Sequence, residues 1–119
     1  MEKKITLDER FGKEFAGAYV FRSISWGRSN QITSDCTSVN PAIKTSRIDL
    51  KRLQGLMLNE SMKERPKIIT LDMLLSEDPE KGIPMVLGEI LMSCADFVNG
   101  YTEKDRAELK NLKKQWGLG

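Results

Sequence analysis

The run from residue 83 to residue 98 constrains this chain more than any other segment. Ile83, Val86, Leu87, Ile90, Leu91, Cys94, Phe97 and Val98 recur at steps of three and four, the spacing of one helical face. Pro84 falls in the first turn, where its missing N–H costs nothing. Gly100, one position past Asn99, is placed to end the helix in the left-handed conformation. Ordering such a helix costs conformational entropy that only tertiary burial offsets. Its apolar face must therefore meet the helix at Asp49, the short helix at Leu71, or another chain.

Three further helices are expected upstream of it. Ser25 is a plausible N-cap for a helix opening at Trp26 and running through Ile32 and Cys36 towards Val39, until Asn40-Pro41 ends it. Its many Ser, Thr and Asn residues compete for backbone hydrogen bonds and weaken it. Residues 41–47 read as a polar loop with a short extended piece at 42–44. Asp49 caps the next helix, whose face is Leu50, Leu53, Leu56, Met57 and Met62, and Pro66 stops it. Thr70 caps a short helix carrying Leu71, Leu74 and Leu75, closed by the turn at 76–79. Beyond Gly100, Thr102 is the expected cap of a last helix, with Asp105 at the capping-box position and Leu109, Leu112 and Trp116 as a narrow apolar stripe.

The first 24 residues read differently. Residues 18–24 alternate, with Tyr19, Phe21 and Ser23 on one side and Val20, Arg22 and Ile24 on the other, as in a strand. Its nearest partner is residues 4–7, and Ile5, Leu7, Phe11 and Phe15 would line a strand followed by a helical turn. The expected fold is mainly α: a small β-hairpin or short sheet over residues 1–24, then a compact bundle of four to five helices over 25–119, in a single domain.

Composition narrows the function classes. The 119 residues carry 19 basic and 17 acidic side chains, and the two halves differ little in balance, so no basic stripe points to nucleic acid. The chain has no histidine, which removes Ser-His-Asp and Cys-His catalysis and the ordinary zinc sites. Cys36 and Cys94 are isolated, without metal-ligand spacing, and read as reduced thiols, although a disulfide between them is not excluded by sequence. Gly27-Arg28-Ser29 lacks the second glycine and the lysine of a phosphate-binding loop. Glu77, Asp78 and Glu80 cluster beside Pro79 in what reads as a solvated turn. No metal, cofactor or catalytic residue is expected. Asp8, Glu9 and Arg10 break the apolar run that a secretory leader needs, and no apolar stretch is long enough for a bilayer, so a cytoplasmic location is expected.

What remains is binding of other proteins. Trp26, Met57, Met62, Leu109, Leu112 and Trp116 are the candidate partner-binding residues, because aromatic anchors dominate interfaces and thioethers repack around varied partners. For Trp26 the competing reading is a core or staple residue; for Trp116 it is packing of the last helix onto the body.

Four stretches carry a resemblance. Tyr19-Val20-Phe21-Arg22-Ser23-Ile24-Ser25-Trp26 is similar to a strand running into a helix that opens on an aromatic residue. Ile48-Asp49-Leu50-Lys51-Arg52-Leu53 is similar to the start of a central helix after a polar loop. Ile69-Thr70-Leu71-Asp72-Met73-Leu74-Leu75 matches a short capped helix, and Phe97-Val98-Asn99-Gly100-Tyr101-Thr102-Glu103-Lys104-Asp105 a core helix ending in Asn-Gly and Thr-Glu-Glu. In this order they resemble the tail assembly chaperones of long-tailed phages and proviruses. The resemblance implies a non-enzymatic protein that holds the long tape-measure protein and hands it to tail-tube subunits. It also implies a short form, which this chain would match, beside a longer frameshifted one, and possible homo-oligomers. Two alternatives stand beside it. One is a small helical DNA-binding or regulatory domain, although residues 83–98 offer no Arg or Lys for phosphate contacts. The other is a structural head–tail or tail component, which would carry more strand.

Overall fold

The computed structural model describes residues 1–100 and 103–118. Strand β1 (Glu2–Leu7) leads through two 3-10 turns, Glu9–Phe11 and Lys13–Phe15, into β2 (Gly17–Arg22). Next come α1 (Trp26–Asp35), β3 (Thr37–Asn40), β4 (Thr45–Ile48), α2 (Leu50–Ser61) and β5 (Met62–Glu64). The chain closes with α3 (Leu71–Leu75), α4 (Met85–Val98) and α5 (Glu103–Gln115).

The expectation of a mainly α fold is overturned. About 52% of the chain is helix and 20% strand, and the strands form two sheets of three and two strands. This is a mixed α/β fold. The division into a β-containing segment over 1–24 and a purely helical remainder fails as well, because β5 comes from the middle of the chain. It pairs antiparallel with β2, giving the order β1-β2-β5, with a register irregularity between Val20 and Phe21. β1 and β2 pair as expected, with Ile5 opposite Tyr19 and Lys4 opposite Val20.

The second sheet stands where the sequence predicted the tail of α1 and a loop. Helix α1 stops at Asp35, and Thr37–Asn40 pairs antiparallel with Thr45–Ile48. Ile32, Cys36 and Val39 fit a helical spacing, yet Thr37, Val39, Thr45 and Ile48 are β-branched and favour a pleated strand. The Thr37 hydroxyl donates to the Thr33 carbonyl at 2.6 Å, and the Asp49 N–H donates to the Cys36 carbonyl at 2.9 Å, closing the base of the hairpin. Lys44 takes φ 52° in the reversal.

The start signals of α1, α2 and α3 and the stop after α4 hold, whereas the expected stops at Asn40-Pro41 and Pro66 do not, since α1 ends at Asp35 and α2 at Ser61. The side chains of Ser25, Asp49 and Thr70 accept from the N–H groups of Arg28, Arg52 and Met73. Gly100 takes φ 77° after Asn99. The expected Thr102 cap lies outside the described residues.

Packing is in two layers, with α2 and α4 against the three-stranded sheet. Tyr19 and Phe21 from β2 meet Leu87, Leu91, Ala95 and Val98 from α4, together with Leu58, Met62, Phe15 and Ile69. Helix α2 is the hub, touching α1, α3, α4 and β5. Two apolar positions of the 83–98 run stay outside the core, since Val86 is 60% and Phe97 47% exposed.

A polar knot pins the end of α4. The Asn99 side-chain oxygen accepts the Ile24 N–H at 2.9 Å, and its amide donates to the Ser61 hydroxyl at 3.0 Å and to the Ala95 carbonyl at 2.8 Å. The Ser23 hydroxyl donates to the Val98 carbonyl at 2.5 Å. Ser61 is fully buried, so its hydroxyl depends on this partner.

Candidate functional site

Helix α5 holds three of the six residues predicted to bind partners and presents them to solvent. Leu109 is 51%, Leu112 41% and Trp116 64% exposed. The steps of three and four place them on one line of the helix. Trp116 stays on that line because its N–H donates to the Leu112 carbonyl at 3.0 Å. Gly117, at φ 69°, then ends the helix, and the Leu118 N–H donates back to the Lys113 carbonyl at 2.7 Å, the glycine-terminated pattern. Glu103 and Asp105 in the first turn and Lys113 and Lys114 in the last complement the helix dipole. No α5 residue is buried. Packing of the last helix onto the body, the competing reading for Trp116, is not what the structure shows.

The other three candidates are scattered. Trp26 opens α1 and is 84% exposed, neither core nor staple. Close by, Arg28 pairs with Glu60 of α2 at 3.3 Å. Met57 is half-buried, and Met62 is buried in the core beneath β2, so it offers nothing to a partner while the fold is intact.

Sequence reasoning missed a cleft between α2 and α4. It has a volume of about 210 Å³ and is walled by Leu58, Leu74, Met85 and Met92, with Gly55 and Gly88 in its lining. Gly55 lets α3 approach α2, since a Cβ there would collide with the Leu75 side chain, while one on Gly88 would make ordinary contact with Ile83. Met85, at its mouth, is exposed. Its pairing with Met92 across two helical turns was the available signal.

The polar chemistry is mostly spent on holding the fold. Asp78 accepts the Glu80 N–H at 2.9 Å, Ser76 accepts the Asp78 N–H at 3.2 Å, and Glu77 takes the Lys51 ammonium at 2.7 Å. That lysine holds the Glu77 carboxyl below its ordinary range. Cys36 is buried and Cys94 half-buried, both as free thiols. Burial pushes the Cys94 thiol up, with Lys3 opposing weakly, which lowers its thiolate fraction at neutral pH. Burial also raises the Tyr19 phenol, whose hydroxyl donates to the Phe15 carbonyl at 2.7 Å. Among the described residues, no group of three or more Cys, Asp or Glu is arranged to hold a metal, and no helix is long and apolar enough to cross a membrane.

Comparison with protein families, with curated proteins and with solved structures finds no match to this chain. The functional reading therefore rests on the surface itself and on the four stretches described above.

Proposed function

We propose that this chain is a non-enzymatic protein-binding factor, and specifically a tail assembly chaperone of a long-tailed phage or provirus, acting in the host cytoplasm on the tape-measure protein. The observation that carries the reading is the α5 stripe: three large apolar side chains at helical spacing, exposed on a helix that buries nothing. An amphipathic helix of this kind docks against apolar positions at the same spacing on another helix, and a tape-measure protein offers long helical segments. The order of the resembling stretches adds support. β2 runs into α1 at Trp26, Asp49 opens the central α2, Thr70 caps the short α3, and Asn99-Gly100 ends α4.

The test begins with the DNA downstream of the gene. A very long coiled-coil gene among neighbouring tail genes is expected. The product of that coiled-coil gene should co-purify with the native chain, and Leu109→Glu with Leu112→Glu should abolish capture. A neighbourhood without tail genes sinks the chaperone reading. Capture unaffected by the double substitution would remove α5 from the binding surface.

A further inference from the structure

We infer that the α5 stripe of one copy docks on the outer face of α4 in a second copy, with the two helices parallel. The outer side of α4 carries exposed Val86, Ser93 and Phe97, with half-buried Ile90 between them, at steps of four, three and four. Glu89 and Asp96, each one position before Ile90 and Phe97, run along one edge, and α4 carries no basic residue. Lys3, 5.7 Å over the Phe97 ring, partly shields the far end. On α5, Leu109, Leu112 and Trp116 are flanked on one edge by Arg106 and Lys113. Arg106, Leu109, Lys110 and Lys113 together line a shallow surface hollow.

The edges fix the orientation. In heptad terms Ile90 and Phe97 are a positions, and the acidic pair precedes them at g. Leu109 and Trp116 are a positions, Leu112 is d, and the basic pair sits at e. In a parallel pair g of one helix lies along e of the other; in an antiparallel pair like edges meet, and the complementarity is lost. Setting Leu109, Leu112 and Trp116 on Ile90, Ser93 and Phe97 brings Lys113 to Glu89; Arg106 then falls opposite Gly82 and Asp96 past Trp116, so Lys113–Glu89 is the charge pair that sets the orientation.

The chain's own α4 cannot accept this docking. It would require residue 103 beside residue 84, about 21 Å back along the helix from residue 98 at 1.5 Å per residue. The five peptide steps from 98 to 103 reach at most about 18 Å fully extended, before any interhelical separation is added. A second copy is free of that tether. Docking also accounts for the order of α5, since a helix of 13 residues that buries nothing is marginal by itself in water. The association conceals the stripe until another partner competes for it, and it does not depend on what that partner is.

Sedimentation of the purified full chain over a range of concentrations tests this. The native chain should exceed its 13.5 kDa monomer mass, reversibly, and dissociate as salt rises. Lys113→Glu, and separately Glu89→Lys, should each weaken self-association by about tenfold or more. Lys113 and Glu89 are both exposed, and far-UV dichroism should match the native chain. Mixing the two variants should restore association, because each then meets an oppositely charged edge. A native chain that stays monomeric at every concentration overturns the inference while leaving the α5 stripe free for the proposed partner. Failure of the mixture to associate overturns the parallel α4–α5 pairing.

Discussion

Asn99 is the residue on which the most distant parts of the chain converge. It joins the segment after β2, the end of α2 and the end of α4, and each of its side-chain polar atoms has a stated partner. Asn99→Ala leaves the Ile24 N–H and the buried Ser61 hydroxyl without that partner. A loss of about 1–3 kcal/mol in chemical denaturation is expected. Asn99→Asp should lose more at neutral pH, since a carboxylate accepts from Ile24 but faces the Ala95 carbonyl without a proton to donate. Sequence spacing marked Asn99 as part of a helix stop; its side-chain role depends on neighbours up to 75 positions away. A second residue-scale expectation concerns the exposed pair Glu2–Lys63, 2.9 Å apart, which links β1 to β5 across β2. The Lys63 hydrogen bond holds the Glu2 carboxyl below its ordinary range, and Glu2 holds Lys63 above its own. The Glu2 contribution is present above the ordinary glutamate value and lost as pH falls through its lowered folded value. The Lys63 contribution is present below the ordinary lysine value and lost as pH rises through its raised one. The link is therefore intact across neutral pH. An NMR titration of the Glu2 carboxyl should give a depressed midpoint that Lys63→Ala returns to normal.

The β3–β4 hairpin shows how an element can be local, regular and yet unnecessary to the core. Thr37 is half-buried and every residue from Ser38 to Leu50 is exposed. A lone two-stranded hairpin is marginal in water, so its stability comes from its own β-branched residues and the bond at its base. Replacing residues 38–47 with a short Gly/Ser link should leave the folded core intact. The expected change in thermal midpoint is only a few degrees, about what a loss of less than 1 kcal/mol produces; a collapse of the transition would show that the hairpin carries hidden packing. The sequence did not announce this element because Ile32, Cys36 and Val39 satisfy the helical period as well as a strand, and only pairing with residues 45–48 decides between them. The same competition hid β5, where Met62 fits the α2 face yet the chain leaves the helix at Ser61 to complete the sheet.

At the scale of the whole molecule, a folded two-layer body carries one helix that adds nothing to its core. Cutting the chain after Gly100 should therefore leave the denaturation free energy of the body within about 0.5 kcal/mol of the full chain, as expected away from core and caps. The same cut should abolish both self-association and capture of a helical partner. A large loss of stability on truncation would place α5 in the core and remove the exposed stripe as a binding surface. Of the candidate site, Leu109, Leu112 and Trp116 were legible as a stripe from spacing alone. That α4 keeps Val86 and Phe97 outward was not, because eight apolar positions at helical spacing span more surface than one sheet can cover.

The amino-acid sequence by itself determined where α1, α2 and α3 begin and where α4 ends. Ser25, Asp49 and Thr70 reach backbone groups only three positions away, and Gly100 needs only its own φ, so these signals act before any distant contact forms. Tertiary structure decided the fold class, because β5 becomes a strand only by pairing with β2 some 40 positions earlier. It also decided which apolar faces are covered. Burial depends on which surfaces meet, and helical period reports only that a face exists.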